Sequence, residues 1–278
     1  MNSCNSIKKY KLKGLFVIFC FILISFTGFS KSESESTLID SVQISGNQFK
    51  VDILGNIYWT ENNALKKYAP ESGSVIEYSN TFMGKITEYD VSNPLKILIY
   101  YSSQHQILYL DKNLSEIISP LSLDQTNIPG IDAVCTSHRG GFWVLNPITQ
   151  KIEHYNQNLR KTIASDTYPE LFTKDNIAIH LTEKNNKLYC FIQNCCLWTF
   201  DLYGNFIRKH PLKNVDNIQI INENIFYFYK STLNKYNINT LEKDAVSIPM
   251  KRSEWRSVKT AETGLIYALK SQTIYIYK

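Results

Sequence analysis

From residue 37 onward the chain alternates short apolar or aromatic runs with brief polar stretches rich in Gly, Asn and Ser, and no window carries the i, i+3, i+4, i+7 stripe of an amphipathic helix. Six times a strand-like run is followed within a few polar residues by a second. The pairs are NIYWTE with ALKKY, KILIYYSS with QILYLD, GFWVLN with KIEHY, KLYCFIQ with CLWTFD, NIFYFYK with TLNKY, and GLIYALK with TIYIY. Their closing residues, Tyr68, Leu110, Tyr155, Phe200, Tyr236 and Tyr277, are spaced by 42, 45, 45, 36 and 41 residues. A period of about 42 residues is that of a four-stranded propeller blade. A pair of β-sandwiches would also give many short strands, but not a regular period.

Each pair is preceded by an alternating run that reads as the innermost strand of its blade: FKVDI, KITEYDV, IDAVCTS, NIAIHLTE, NIQII and WRSVKTA. The first five are also followed by a weaker outer strand, such as GSVIEYS, LSEIISPLSL or DAVSIP. The sixth unit has only three strands, whereas an unassigned run, Thr37 to Ser45, stands ahead of the first. Lending that run to the sixth blade completes the count and removes two open sheet edges. Turn signals at Gly55-Asn56, Ser92-Asn93-Pro94, Arg139-Gly140-Gly141, Asn185-Asn186 and Thr263-Gly264 join first to second strands. The expected fold is therefore all-β, a six-bladed β-propeller whose last blade is closed by the N-terminal strand, occupying residues 31–278 as one domain.

Residues 1–30 read differently. A cationic stretch, KKYKLK at 8–13, precedes an apolar run from Leu15 to Phe29 and then a polar SKSESES segment, the order of a secretory signal peptide. The run of 15 residues is shorter than the ~20 a spanning helix needs, and Gly28 and Ser30 suit a cut before Lys31. An uncleaved anchor is the alternative, and would be the chain's one link to a membrane. Cys20 follows Phe19 in mid-run, which does not suit lipidation. The expected location is outside the cytoplasm, periplasmic or at the cell surface. Setting aside the four leader lysines from 30 Lys and Arg leaves 26 basic residues against 25 acidic ones. With that balance and no clustered cations, nucleic acid is excluded as the expected partner.

Export also changes how the cysteines read. Cys135, Cys190, Cys195 and Cys196 remain, with no zinc spacing and no C-x-x-C. Adjacent Cys195 and Cys196 on one strand would face opposite ways, so at most one of them is expected to meet Cys190 or Cys135. Four buried small hydrophobes is the other reading.

Residues 55–73, GNIYWTENNALKKYAPESG, resemble one repeat of the NHL and YWTD six-bladed propellers. The matching elements are the Gly55-Asn56 turn, the Tyr58-Trp59-Thr60-Glu61 strand, the Lys66-Lys67-Tyr68 strand and the Gly73 turn. The other five units share the strand rhythm without that motif. The resemblance implies a TolB-like ring and no particular activity. One enzymatic variant of such rings, a calcium-assisted lactonase or ester hydrolase of the gluconolactonase type, would require oxygen ligands converging on the central channel. Glu88, Asp90, Asp132, Glu183 and Asn217 are the inner-strand candidates.

Those acids fall at differing offsets in their blades, and none of His105, His138, His154, His180 and His210 is spaced for a metal. His180, between Ile179 and Leu181 on an inner strand, has a position that could face the channel, but a packed or surface imidazole is the expected reading for it as for the others. There is no G-x-S-x-G elbow, P-loop or G-x-G-x-x-G, so neither a cofactor nor a metal is expected and a non-catalytic role is favoured. A protein or peptide partner of the envelope would then dock on loops. Phe82, Tyr168, Phe172, Arg252 and Trp255 all lie between the last strand of one blade and the first of the next, and propeller topology gathers such loops on one face. The competing readings are that these aromatics pack between blades, or that docking uses the opposite face around His138, Arg139 and the Asp201 to Asn205 turn.

Overall fold

The computed structural model describes residues 37–126, 128, 130–131, 133–173, 178–192, 195–213, 215–246, 248 and 255–278. The leader at 1–30 lies outside the described residues. Strand β1 (Leu38–Gln43) comes first, and blade one is β2 (Lys50–Val51), β3 (Ile57–Glu61), β4 (Ala64–Ala69) and β5 (Ser74–Ser79). Blade two is β6 (Glu88–Asp90), β7 (Ile97–Tyr101), β8 (Gln106–Leu110) and β9 (Leu121–Ser122), and blade three is β10 (Ala133–Thr136), β11 (Phe142–Asn146), β12 (Lys151–Tyr155) and β13 (Lys161–Ala164). Blade four is β14 (Ala178–Lys184), β15 (Lys187–Ile192), β16 (Cys196–Asp201) and β17 (Phe206–His210). Blade five is β18 (Asp216–Ile221), β19 (Asn224–Tyr229), β20 (Thr232–Asn237) and β21 (Lys243–Val246). The sixth is β22 (Ser257–Thr260), β23 (Ile266–Lys270) and β24 (Thr273–Tyr277), with β1 hydrogen-bonded to β24 as its outer strand.

This is the six-bladed propeller with N-terminal closure that the 42-residue rhythm predicts. Every described pairing within a blade is antiparallel, and all join sequence neighbours except the closing one, which runs Leu38 against Tyr277 to Gln43 against Thr273. Backbone bonds from Thr37 N to Lys278 O (2.9 Å) and Ile44 N to Gln272 O (2.7 Å) extend it at both ends.

The second and third strands are apolar on both faces because each blade is stacked between two others. In β7, ILIYY, and β11, FWVLN, every residue is buried, whereas β5, SVIEYS, is exposed almost throughout. The buried side chains divide into six clusters, one at each seam. Tyr58 and Leu65 of blade one meet Ile97, Ile99 and Leu108 of blade two, and Ile57, Trp59 and Tyr68 meet Tyr267, Leu269 and Ile276 of blade six. Val42 and Ile44 join the latter cluster, so the closing strand contributes core as well as ladder.

A five-residue turn recurs between third and fourth strands. Asp111 accepts from the backbone of Asn113 and Ser115, Asn156 from Asn158 and Arg160, and Asp201 from Tyr203 and Asn205. An Asp or Asn side chain thus caps each turn locally.

The cysteines depart from the expectation of opposed faces. Cys195 and Cys196 are bonded to each other, while Cys135 and Cys190 are buried free thiols in the seam of blades three and four. Strand β16 begins only at Cys196, opposite Ile192, so Cys195 belongs to the turn and the alternation of a strand does not apply to the pair.

Candidate functional site

The inner strands surround a channel with a cavity of about 630 Å³, lined from β2, β6, β14, β18 and β22. Register sets what points there. Lys50 and Lys259 lie opposite Tyr58 and Tyr267, in each case the second residue of the next strand, so they occupy matching positions in blades one and six; in blade two that position is Asp90, opposite Leu98, and Glu88 stands two residues earlier, opposite Tyr100. Blades six and one are neighbours in the ring, which brings two ammonium groups to the same side of the channel.

Their surroundings differ. Lys50 Nζ bonds Glu88 Oε1 and the Tyr89 carbonyl, each at 2.5 Å, and sits 4.5 Å above the Tyr89 ring. Lys259 is only 6% exposed, and its Nζ lies 5.6 Å from the centre of the Phe49 ring. No hydrogen bond or ion pair joins Lys259 to a described residue. Burial, helped by the charge of Lys50, lowers its pKa from 10.5 to about 7. His180 shares the channel and is pushed down to about 3, first by burial and then by Lys50, with Asp90 pulling the other way and Lys259 adding a smaller push down. It is therefore a neutral imidazole near pH 7.

Two further pairs span the channel wall. Gln219 clasps Thr260 by two 2.9 Å bonds, Nε2 to the carbonyl and Oε1 from the amide, which ties blade five to blade six. Lys184 and Glu262 pair at 2.8 Å.

The buried ammonium of Lys259 has a measurable consequence. Above about pH 7 the folded chain holds Lys259 neutral while the unfolded chain keeps it protonated up to about 10.5, so the unfolded state binds more protons and stability should rise with pH across that window. Below pH 7 both states are protonated and the full desolvation cost remains. Lys259→Met is thus expected to stabilise the fold by a few kcal/mol at pH 6–7, on the order of 1.4 kcal/mol per pKa unit, with the gain fading toward pH 10–11. Urea denaturation of both proteins across that range checks it, and a gain independent of pH would refute the assignment.

The oxygen-ligand candidates are engaged elsewhere. Glu88 is held by Lys50. Asp90 accepts from Ser92 N at 2.9 Å, Ser92 Oγ at 3.0 Å and Thr136 N at 2.8 Å. Glu183 accepts from Trp143 Nε1 at 2.5 Å and from His138 N at 3.2 Å. Asp132 and the side chain of Asn217 lie outside the described residues. Among the described residues no three His, Cys, Asp or Glu side chains gather as a metal-holding set. Of the remaining histidines, His154 lies between Thr162 Oγ1 and the Gly140 carbonyl and His210 between Tyr236 Oη and Thr199 Oγ1, while His105 faces Asp124.

The loop residues expected to anchor a partner fall in different settings. Phe82, between β5 and β6, is 91% exposed. Tyr168 is half-buried against Trp198 and Phe200, at 5.9 and 5.4 Å between ring centres, and Phe172 packs on the same cluster. Trp255, 6% exposed, is buried in the seam of blades five and six beside Tyr275 and Tyr277. Arg252 lies outside the described residues. All four described residues belong to the loops between blades, but only Phe82 offers its ring to solvent.

The opposite face carries more exposed apolar surface. Leu54 and Leu95, in the first-to-second strand loops of blades one and two, are exposed, and so is Tyr203, at 68%, in the third-to-fourth strand turn of blade four. Arg139 of blade three lies 5.0 Å from the Tyr203 ring. Both loop types open on the same end of the ring. Arg139 and the Asp201 to Asn205 turn that holds Tyr203 are the alternative face read from the sequence, whereas Lys50, Lys259, Leu54 and Leu95 went unnoticed there. The Lys in FKVDI and in WRSVKTA, interrupting inner strands at one register, was the available signal.

No protein-family model and no curated protein matches the chain. Solved structures do match it. Virginiamycin B lyase from Staphylococcus aureus is 12% identical, with a TM-score of 0.55 over 88% of this chain and 99% of that one. The extracellular domain of BT4673 from B. thetaiotaomicron is 12% identical, TM-score 0.54, over 82% of this chain and 33% of that one. The Neurospora crassa Pan2 WD40 domain is 7% identical, TM-score 0.58, over 88% and 96%. At such identities these likenesses concern the fold alone.

Proposed function

We propose that this chain is an exported, non-catalytic binding propeller of the cell envelope, which takes a protein or peptide partner on the face carrying Leu54, Leu95, Arg139 and Tyr203. The observation that carries the reading is the exposed Tyr203 ring with Arg139 against it, on the end of the ring where Leu54 and Leu95 of blades one and two are also exposed. Aromatic and Arg side chains are the types that anchor interfaces. The acids and imidazoles that chemistry would need are engaged in bonds within the ring, which supports binding over catalysis. Export rests on the charged, apolar and small-residue order of residues 1–30, and the resemblance to an extracellular domain agrees with it. Among the described residues no helix is long and apolar enough to cross a membrane.

Crosslinking in the source envelope, followed by purification of the full chain, tests the docking face. A crosslinked partner is expected with the unaltered protein and with Phe82→Ala, and should be lost with Tyr203→Ala at an unchanged melting temperature. Loss with Phe82→Ala alone would move docking to the other face, and no crosslinked partner at all would sink the reading. Trp255→Ala serves as a packing control. It should cost about 3 kcal/mol, the usual range for a buried Trp, whatever the partner does. A mature N-terminus at Lys31 by mass spectrometry is the expected sign of export.

A further inference from the structure

Lys259 is a buried cation in an open cavity with nothing described to neutralise it. Lys50, in the matching register one blade away, already has Glu88, and Lys184 has Glu262. An unpaired buried ammonium is costly, and a protein that keeps one on a cavity wall gains most when a counter-charge enters from outside. The wall around it supplies more than charge. Phe49 and Phe191 line the same cavity with Val215 and Ile218, and His180 adds an imidazole that is neutral at physiological pH. A volume of about 630 Å³ lies within the range of small-molecule pockets and far exceeds what a lone inorganic anion fills.

We infer that the central channel binds a small organic anion, a carboxylate on a compact apolar or aromatic body, with Lys259 as its counter-ion and the Phe49 and Phe191 side as the seat of its body. The inference is separate from the docking face, since Leu54, Leu95, Arg139 and Tyr203 are not among the residues that line the cavity.

Three probes test it at pH 6 by calorimetry and thermal shift on the full chain: benzoate, its neutral isostere benzamide, and inorganic phosphate. Benzoate is expected to bind and raise the melting temperature by mass action, benzamide to do neither, and phosphate to bind at least about tenfold more weakly because it leaves the apolar wall unfilled. Lys259→Met should weaken benzoate about tenfold or more, the scale of a lost charge-assisted bond. Lys259→Gln, which keeps a polar head, separates loss of charge from a change of packing and should lose benzoate as well. Lys66→Met, at the ion pair with Glu61 outside the cavity lining, and Tyr203→Ala should bind benzoate as the unaltered chain does.

Benzamide binding as tightly as benzoate would overturn the inference, as would undiminished benzoate binding by Lys259→Met, or no response to benzoate at all. Phosphate binding as tightly as benzoate would overturn the organic body. If Lys259→Met keeps its crosslinked partner while losing benzoate, the channel and the docking face are independent. If Tyr203→Ala loses the partner and keeps benzoate, the channel reading stands whatever becomes of the docking one.

Discussion

Deleting residues 37–45 is expected to abolish the stable monomer. The deletion removes β1, its ladder with Tyr277 to Thr273, and the flanking bonds at Thr37 and Ile44. It also takes Val42 and Ile44, both buried, out of the seam between blades six and one. Two buried aliphatic side chains contribute roughly 1.5–3 kcal/mol each, and several net hydrogen bonds about 1 kcal/mol apiece, so the loss is comparable to the whole 5–15 kcal/mol of a typical domain. The exposed edge would be β24, TIYIY, a β-branched and aromatic run of the kind that recruits other edges. Size-exclusion chromatography with light scattering should show oligomers or aggregate, and denaturation a lost or broadened transition. A monomer with an unchanged urea midpoint would mean that the closing strand does not hold the ring.

Gly141→Ala is the point substitution expected to cost most. Gly141 stands at φ +80° in the turn entering β11, where a Cβ would lie 1.9 Å from the Tyr155 carbonyl oxygen and 2.7 Å from Asn156 Cα. Both are backbone atoms, at the end of the adjacent β12 and the first residue after it, and cannot swing aside as the end of a side chain can. Its own carbonyl accepts the buried Tyr109 hydroxyl at 2.9 Å across the seam of blades two and three, so a shift of the turn breaks a second contact. Left-handed backbone costs an L-residue about 1–2 kcal/mol, and overpacking a further 1–3 kcal/mol. Gly140→Ala is the control, at φ +85° with open space where its Cβ would go. It should show the conformational cost alone. Equal urea midpoints for the two variants would mean that the close approach to Tyr155 is relieved without cost.

Both expectations rest on features that were legible to different degrees. The closure was readable because the sixth unit lacks a fourth strand and an unpaired run precedes the first, and strand count is a local property of the sequence. Gly140-Gly141 could be read as a turn, but not which of the two glycines faces backbone at 1.9 Å. That distance depends on how β12 lies across β11. The Asx-capped turns at Asp111, Asn156 and Asp201 are local in the same way, since the side chain bonds amides two and four residues ahead.

The blade period, the order of strands within each blade, the closing strand and the class of loop on which each aromatic sits can all be read along the chain. These follow from alternation, apolar runs and turn residues, all encoded within a few neighbours along the chain. It took the packed ring to establish that Trp255 is buried in a seam while Phe82 and Tyr203 face solvent, that Cys195 bonds Cys196, and that Glu88 neutralises Lys50 while Lys259 has no such partner among the described residues. Apart from the cysteine pair, which turns on where β16 begins, each of these depends on what the adjacent blade, some 40 residues away, presents across the seam or channel. Burial and charge compensation are set by that packing, and periodicity carries no record of it.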